Sequence, residues 1–225
     1  MNRREFTRYA FAGLGVAALS PSMAGSTVAE GLLPSKPVLP PPTPPASKAF
    51  PAGVGTRFSA KLLDRARAAL DTHHNAFELR DRIALADFSA ASKDLRFHIV
   101  DLIGGQTSSY LVAHGRGSDP EHSGWLRSFS NVPDSLATSA GAYKTGDIYH
   151  GIHGQAMRLV GLDPLNNNAE MRAIVIHGAD YVSEDHIARW GKCGRSEGCL
   201  ALAPHMLPQV LGLLGPGRMV YADKI

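Results

Sequence analysis

The spacing of apolar positions along the chain changes near residue 95. Before that point, residues 59–87 carry apolar side chains at helical spacing, namely Leu62, Leu63, Ala66, Ala69 and Leu70, and the pattern continues through Phe77, Ile83, Leu85 and Phe88. The heptad repeat of a coiled coil is not sustained. The pattern predicts two packed helices, and we assign residues 56–92 to a helical region that packs on the domain that follows.

Beyond residue 95, short alternating runs are typical of β-strands. Apolar and polar residues alternate over residues 96–102, and Gly104-Gly105 predicts a turn. Residues 109–113 then predict the returning strand, so the segment as a whole predicts a β-hairpin. The pattern also predicts a short helix and three more strands, at 204–214, 157–160, 171–176 and 218–222 respectively. We therefore expect residues 93–225 to form a mostly β domain, a mixed sheet or barrel-like sandwich with peripheral helices.

The first 29 residues have the pattern of an export signal. Arg3-Arg4 precede a mildly apolar run, residues 9–19, that is too short to span a membrane, and Ser22 and Ala24 suit a cleavage site. Paired arginines before such a run are similar to a twin-arginine signal, which predicts a periplasmic protein. An uncleaved signal would leave a transient association with the inner membrane. The alternative interpretation is an amphipathic arm on a cytoplasmic protein.

Residues 30–55 are rich in proline and include Pro40-Pro41-Pro42 and Pro44-Pro45. Such a run cannot hold a helix, and it favours the extended polyproline II conformation. We interpret the segment as a semi-rigid linker between the signal and the domain. Binding of the segment to a groove in another module is the alternative.

The charge of the chain excludes one class of partner. The formal net charge of +3 at pH 7 comes from 23 basic and 20 acidic residues. Removal of the first 24 residues takes away Arg3, Arg4, Arg8 and Glu5, which leaves 20 basic against 19 acidic residues. No basic face remains to argue from, so nucleic acid is not predicted as a partner.

Two short segments carry the candidate chemistry. A predicted strand leads into His177-Gly178, and further along the chain Ser196-x-Gly198-Cys199 places a thiol directly after a glycine. A tight turn there can expose the sulfur and direct backbone N–H groups at a developing oxyanion. A thiol with a pKa of about 8.5 is mostly protonated at neutral pH, so it needs a base or a cation nearby. His177 is the natural base.

Cys193 and Cys199 are the two cysteines of the chain. In an oxidising compartment an even count also allows a disulfide, although a bond across so short a loop would stabilise the fold only modestly. Such a bond would silence a Cys199 nucleophile. Cys193 is therefore either structural, a regulatory partner of Cys199, or incidental.

The order of His-Gly and then Ser-x-Gly-Cys resembles the active-site signature of the murein L,D-transpeptidase catalytic domain family (YkuD-type). One branch of that family is also similar over residues 112–117, 129–131, 139–146, 153–159 and 176–181, and the resemblance extends from about residue 95 to residue 222. It implies a thiol enzyme that attacks a carbonyl following an L-configured centre of a peptidoglycan stem peptide. A thioester forms, and its acyl group passes to an amine. The family's usual donor is diaminopimelate at the third stem position; L-Ala at the first position stays open.

The resemblance implies a role for each matching residue. Cys199 is the nucleophile, His177 is its base, and Ser196 occupies the position associated with fixing the imidazole. The backbone N–H groups of Gly198 and Cys199 would form an oxyanion hole. The family also implies acylation of the thiol by carbapenems.

The sequence departs from the commoner family pattern at two positions. Glu197 stands where many members have a second His, and Ala201 stands where many have an Arg after the Cys. We hypothesise that Arg195 replaces that charge, and we interpret Arg172 as an ordinary surface residue. The predicted substrate cleft is lined by Tyr143, His153, Arg158, Gly178, Arg195 and Glu197.

Two other functions stay open from the sequence. An L,D-carboxypeptidase would pass the same thioester to water, and a non-enzymatic module would only bind the cell wall. The ten histidines invite a metal site, but His150-x-x-His153 has loose ligand spacing, and neither Cys-x-x-Cys nor His-Glu-x-x-His accompanies it. We predict no metal and no organic cofactor, because a thiol and an imidazole suffice for the reaction.

Overall fold

Residues 58–225 are described by a computed structural model. The predicted export signal, residues 1–29, and the proline-rich linker, residues 30–55, lie outside these described residues. No helix within residues 58–225 has the length and the apolar character that crossing a membrane requires.

The domain is built around nine β-strands: β1 Arg82–Asp87, β2 Phe97–Asp101, β3 Thr107–Tyr110, β4 Val112–Ala113, β5 Gly141–Gly151, β6 Gly154–Gly161, β7 Val175–Gly178, β8 Leu200–Leu202 and β9 Met219–Asp223. They form one sheet in the spatial order β3-β2-β1-β9-β5-β6-β7-β8-β4. The pairs β1–β9 and β7–β8 are parallel, whereas the other neighbouring pairs are antiparallel. The sheet is therefore mixed, as predicted.

The two edges of this sheet approach each other. Strands β3 and β4 lie at opposite ends of the spatial order, yet only Leu111 separates them in the sequence. Two steps along the chain reach at most about 7 Å, so the sheet must curve until its edges are close. This curvature gives the barrel-like architecture that the sequence predicts.

Three α-helices lie at the periphery of the sheet: α1 Ala60–Thr72, α2 Glu184–Trp190 and α3 Leu207–Leu214. The buried side of α1 consists of Leu62, Ala66 and Leu70, which recur every four residues and pack against the β1 and β9 side chains of a second hydrophobic cluster. Each leucine buried in this way contributes about 1.5–3 kcal/mol relative to exposure. Helix α3 buries its apolar side in the main hydrophobic core.

The second of the two predicted helices is wrong, because the chain forms strand β1 there. The region 56–92 contains α1, a short 3-10 turn at His74–Ala76, and β1. Strand β1 lies between β2 and β9, with Ala84 in the main core and Ile83 in the cluster beneath α1. A strand covered on both faces has a continuous apolar run, which periodicity cannot distinguish from a buried helix. The boundary predicted at residue 92 therefore separates β1 from its own sheet.

The other predicted elements are present with shifted boundaries. The predicted hairpin is formed by β2 and β3, residues 157–160 lie within β6, and residues 218–222 largely form β9. The strand predicted over residues 171–176 begins only at Val175, because Ala173 has a left-handed φ of 52° and its N–H donates to the Glu170 carbonyl in a turn. The sequence pattern does not predict β5, β8 or α2.

Candidate active site

Strands β7 and β8 bring the two segments that carry the predicted reactive side chains next to each other. The strands are parallel, with Ile176 opposite Leu200 and His177 opposite Ala201. Ile176 and Leu200 belong to the main core, so the alternation of side chains directs His177 to the opposite face. Cys199 directly precedes Leu200, the first residue of β8, so the thiol lies at the start of the strand that neighbours His177.

His177 is almost fully buried, with 3% of its surface exposed. Its Nδ1–H donates a hydrogen bond of 2.9 Å to the carbonyl of Gly178. Because a carbonyl can only accept, Nδ1 carries the proton, and Nε2 of the neutral ring keeps a free lone pair. Burial lowers the pKa of His177 below its ordinary value. The neutral form, which can act as a base, is therefore favoured at neutral pH.

The thiol of Cys199 is partly buried and faces the turn that precedes β7. It donates a hydrogen bond to the carbonyl of Ala173, with 3.5 Å between sulfur and oxygen. Burial raises the pKa of Cys199, whereas a hydrogen bond from the Val175 backbone and the charge of Arg172 lower it. Cys199 and His177 thus both favour their neutral forms.

Ser196 holds the turn that carries the thiol rather than the imidazole. Its hydroxyl donates to the carbonyl of Cys199 at 2.7 Å and accepts from the N–H of Gly198 at 3.2 Å. These two bonds occupy the hydroxyl within its own turn. The role predicted for Ser196, fixing the imidazole, is therefore taken by the carbonyl of Gly178.

A second segment supports the turn from outside. The N–H of Ser196 donates to the carbonyl of His114 at 3.0 Å, and the N–H of Arg116 donates to the carbonyl of Ser196 at 2.8 Å. These bonds form an isolated parallel bridge between Gly115 and Ser196, which is separate from the antiparallel pairing of β4 with β8. Gly115 lies so close to the turn that a Cβ there would be 2.7 Å from the backbone of Gly198. The segment 112–117 thus acts as a template for the thiol-bearing turn.

Gly198 cannot be replaced by a larger residue without strain. Its φ is +119°, and a Cβ would lie 2.9 Å from the carbonyl oxygen of Ala137. Of the two N–H groups predicted to form an oxyanion hole, that of Gly198 donates to the hydroxyl of Ser196. The oxyanion hole stays a prediction, and the Gly198 N–H would have to exchange its partner to take part.

Arg172 is a charged residue of this site that the sequence interpretation placed wrongly on the ordinary surface. Its Nη1 donates to the carbonyl of Ser130 at 2.8 Å. Its Nη2 donates to the carbonyl of Ala137 and, at 3.2 Å, to the hydroxyl of Ser135. The guanidinium charge lowers the pKa of Cys199. Arg172 is therefore partly buried between a loop and the thiol.

Arg195, which we hypothesised to supply this charge, is engaged elsewhere. Its Nη1 donates to the carbonyls of Asp119 and Pro120, the second at 3.1 Å. The charges that shift the pKa of Cys199 are those of Arg172, which lowers it, and Glu197, which raises it. The cation beside the thiol thus comes from the turn before β7 and not from the thiol-bearing loop.

Tyr143 lies in the core and not in a substrate cleft. It is 1% exposed, and its hydroxyl donates to the carbonyl of Ser139 at 2.7 Å. Burial raises the pKa of its phenol. The cleft role predicted for Tyr143 is therefore wrong, because the side chain of this β5 residue points into the main core.

The other predicted cleft residues lie at or near the surface. The ring of His153 stacks on the ring of His177, so the structure brings this residue into the site. Arg158 places its guanidinium 4.5 Å from the centre of the Tyr149 ring and lines a cavity of about 400 Å³. Glu197 is exposed.

Cys193 is not bonded to Cys199, and both thiols are free. Cys193 is 1% exposed, and its thiol donates to the carbonyl of Ser92 at 2.9 Å. Burial raises the pKa of Cys193 to about 11. The structure therefore agrees with a structural role for Cys193 and shows no disulfide between the two residues.

A buried polar network lies beneath the segment that supports the turn. Arg96 is fully buried and donates to the Val112 carbonyl at 2.9 and 3.0 Å and to Nδ1 of His114 at 2.8 Å. The Nε2 atom of His114 lies 3.5 Å from a carboxylate oxygen of Asp119. Burial lowers the pKa of His114 to about 3. A neutral His114 thus accepts a hydrogen bond from Arg96 and lies beside Asp119, under the backbone that pairs with Ser196, while its Nε2 atom makes no hydrogen bond within residues 58–225.

Two histidines considered as metal ligands, His150 and His153, are exposed on the hairpin formed by β5 and β6. Across residues 58–225, no group of three or more His, Cys, Asp or Glu side chains is arranged to hold a metal ion.

Sequence reasoning missed two residues near the thiol. Arg172 had no local signal, because nothing in its neighbours along the chain shows which loop its guanidinium reaches. Tyr181 lies in the segment 176–181 that carried part of the family resemblance, yet it received no role. Burial, followed by the charges of Cys199 and Glu197, raises the pKa of Tyr181 to about 12. Its ring packs on Gly194, where a Cβ would lie 2.6 Å from the tyrosine side chain.

The chain is similar to three solved structures at low identity. An L,D-transpeptidase from Mycobacterium smegmatis is 12% identical with a TM-score of 0.40, over 64% of this chain and 58% of that one. A mutant of the helical cell shape determining protein Pgp2 from Campylobacter jejuni is 16% identical with a TM-score of 0.41, over 66% and 48% of the two chains. An L,D-transpeptidase in complex with imipenem is 13% identical with a TM-score of 0.38, over 64% and 59%.

These solved structures carry no argument about function, because the identities and TM-scores are low. The match spans between 48% and 59% of the length of the three proteins. Comparison with curated proteins found no match. A model described as the L,D-transpeptidase catalytic domain matches residues 55–222, which are 168 of the 225 residues, and the chain therefore belongs to that family.

Proposed function

We propose that the chain is a peptidoglycan L,D-transpeptidase that works by thioester acyl transfer. The sulfur of Cys199 attacks the carbonyl carbon that follows an L-configured centre of a stem peptide, while Nε2 of His177 takes the thiol proton. The C–N bond to the terminal D-residue then breaks, and the imidazolium returns the proton to the departing amine. This half-reaction leaves an acyl thioester on Cys199 and releases a D-amino acid.

In the second half-reaction, an amine of a neighbouring stem attacks the thioester carbonyl. His177 takes a proton from that amine, the C–S bond breaks, and the proton returns to the sulfur of Cys199. The thioester conserves the energy of the original acyl bond, so the cross-link forms without ATP. The scheme uses only a thiol and an imidazole from the protein.

One observation supports the proposal: a partly exposed thiol directly before β8 lies next to the strand that carries a neutral imidazole, whose Nε2 lone pair is free. The lowered pKa of His177 favours the neutral form, which is the form that can act as a base. Cys193 provides the contrast within the same chain, because it is buried and donates to a backbone carbonyl. A cysteine that only packs a core would resemble Cys193.

The donor in our proposal is diaminopimelate at the third stem position, with L-Ala at the first position as the alternative. We further propose that the protein acts in the periplasm after export through residues 1–29, with residues 30–55 as a spacer. Cell fractionation tests the location. Replacement of Arg3 and Arg4 by Lys should retain the protein in the cytoplasm, and normal export of this variant would contradict a twin-arginine signal.

Incubation of purified full-length protein with sacculi tests the reaction. After muramidase digestion, mass analysis of the muropeptides should show new cross-linked dimers with wild type and none with Cys199→Ala. Trimmed monomers without dimers would identify an L,D-carboxypeptidase instead. If wild type leaves every muropeptide unchanged while binding sacculi as Cys199→Ala does, the domain is a wall-binding module.

Acylation by a carbapenem tests the nucleophile directly. Intact-mass measurement after treatment with imipenem should show one adduct on wild type, none on Cys199→Ala and one on Cys193→Ala. The last variant is the matched control, because it removes the buried thiol and keeps the partly exposed one. An adduct on Cys199→Ala would show that another residue is the nucleophile.

A further inference from the structure

The guanidinium of Arg172 is a cation near Cys199 that no carboxylate neutralises among residues 58–225. Its hydrogen bonds go to the carbonyls of Ser130 and Ala137 and to the hydroxyl of Ser135. These three acceptors are uncharged. The positive charge of Arg172 is therefore held in place without being cancelled by a partner, and it is available to an anion at the sulfur.

Other cations of the same region are committed to different partners. Arg116 forms an ion pair with Glu197 at 2.7 Å. Arg195 donates to loop carbonyls, and Lys192 donates to the carbonyl of His122. Neutralisation of a thiolate at Cys199 thus rests on Arg172 more than on these three side chains.

The same guanidinium holds a loop against the thiol-bearing turn. Its three acceptors all lie in the loop of residues 130–138, and Thr138 at the end of that loop donates to the carbonyl of Gly198 at 3.2 Å. Nη2 of Arg172 also lies 3.4 Å from the point where a Cβ of Gly198 would be. Arg172 therefore spans the space between the loop and Gly198.

This loop needs external support to keep its shape. Asp134 and Leu136 have φ values of 59° and 55°, a region that costs non-glycine residues about 1–3 kcal/mol each. Such conformations persist where surrounding contacts impose them. The fork of Arg172, with donors on both Nη atoms, is one of those contacts.

We propose that Arg172 is a positioning residue of the acyl-transfer site, which stabilises the thiolate of Cys199 by its charge and holds the 130–138 loop on the Gly198 turn by its hydrogen bonds. The inference rests on the proposed function for its role in turnover, although its effect on the thiol can be measured without substrate. In this proposal Arg172, which lies before β7, supplies the positive charge that many family members carry on an Arg at the position of Ala201 in β8.

The groups that act on Cys199 come from several elements. Arg172 approaches from the turn before β7, and Glu197 lies in the thiol-bearing loop and opposes it. Tyr181 lies in the loop before α2, near Cys199, and the charge of Cys199 contributes to the raised pKa of Tyr181. His177 contributes a neutral ring from β7. A change of Arg172 alone therefore removes the attractive side chain and leaves the repulsive ones.

Alkylation by iodoacetamide against pH tests the charge, with intact mass as the readout. The full-length protein carries Cys193→Ala in every variant, so that a single thiol reports. Replacement of Arg172 by Gln should slow alkylation of Cys199 at pH 7 by about tenfold and move the profile to higher pH, because less thiolate is present. A profile identical to that of the parent protein would overturn the proposal.

Two further variants keep the test decisive if Arg172→Gln unfolds. Arg172→Lys keeps the charge but replaces the fork with a single ammonium, so alkylation should stay within about threefold of the parent. An alkylation profile of Arg172→Lys that matches a tenfold loss would overturn the charge role. Arg67→Gln removes an exposed arginine of α1 and should leave the profile unchanged; a shift of equal size there would show a non-specific effect of net charge and overturn the assignment.

The result is separable from the proposed function, because iodoacetamide needs no peptidoglycan. A shifted profile in Arg172→Gln together with an inactive wild type on sacculi would keep the inference and reject transpeptidation. An unshifted profile of Arg172→Gln together with an active wild type would keep transpeptidation and reject the inference about Arg172.

Discussion

The imidazole ring of His153 stacks on that of His177, with 4.3 Å between the ring centroids and 20° between the ring planes. His153 is exposed at the end of the β5–β6 hairpin, whereas His177 is buried. Burial is the first cause of the lowered pKa of His177, and the charge of His153 lowers it further. Two stacked imidazoles resist carrying two positive charges, so the stack helps to keep the base neutral.

Replacement of His153 by Phe keeps a ring over His177 but removes the charge that lowers the pKa of His177. The pKa of His177 should then rise toward its ordinary value. Because acyl transfer needs the neutral base, the acid limb of the kcat/KM profile moves to higher pH, and activity at pH 6 falls by about twofold. The pH dependence of dimer formation measures the shift.

His150→Phe is the matched control, because it removes an exposed histidine of the same hairpin that does not stack on His177. The acid limb of this variant should stay in place. If the limb of His153→Phe is also unmoved, or moves to lower pH, the stack has no electrostatic effect on the base.

Gly198→Ala should abolish most activity. The new side chain meets a φ of +119° and a carbonyl oxygen 2.9 Å away, so the turn must shift and displace the thiol. We expect kcat to fall by about 100-fold or more and the free energy of unfolding to fall by about 1–3 kcal/mol. Dimer formation and urea unfolding measure the two effects.

Gly212→Ala in α3 provides the comparison for that substitution. Nothing lies within 4 Å of a Cβ at Gly212, so alanine should raise the free energy of unfolding by about 0.5–1 kcal/mol without loss of activity. Equal behaviour of the two variants would mean that the backbone of Gly198 is not constrained as the structure has it.

Tyr143→Phe should affect stability and not substrate use. The substitution removes the hydroxyl that donates to the Ser139 carbonyl at 2.7 Å and leaves that buried acceptor without its partner. We expect the free energy of unfolding to fall by about 1–2 kcal/mol and KM to stay unchanged. A raised KM at unchanged stability would instead indicate that Tyr143 contacts the substrate.

Arg96→Met should be the most destabilising of these substitutions. Burial lowers the pKa of Arg96 to about 10, yet the guanidinium holds the Val112 carbonyl and His114 through hydrogen bonds. The substitution removes the positive charge and leaves the carboxylate of Asp119 buried without that cation. We therefore expect the free energy of unfolding, measured in urea, to fall by about 3–5 kcal/mol. Arg67→Gln, an exposed control, should change stability by less than about 0.5 kcal/mol. If Arg96→Met is as stable as wild type, the buried polar network does not stabilise the fold.

The elements that sequence reasoning identified are those with a local signal. The β2–β3 hairpin has alternation on both sides of a glycine pair, and α1 shows its buried face at helical spacing. Strand β1 has no such signal, because both of its faces are covered and its apolar run is continuous. The error at β1 therefore came from burial, which depends on what packs above and below a strand.

The same division holds for the site. His177 and the turn from Ser196 to Cys199 are recognisable because each motif is contiguous in the chain. Arg172 and Arg195 are both arginines within 30 residues of the thiol, and nothing local tells which of them faces it. Ser196 likewise shows a hydroxyl at the expected position, but its partners are decided by the shape of the turn.

By itself, the sequence determined the mostly β class and the glycine turn before the thiol, and it predicted the pair of Cys199 and His177, since each of these depends on neighbouring residues. Only the tertiary structure decided that Arg172 supplies the cation, that Tyr143 is core, and that His153 stacks on the base. Those relationships join residues that are distant along the chain. The stack follows from the pairing of β6 with β7, whereas Tyr143 is placed by β5 and Arg172 by the turn before β7.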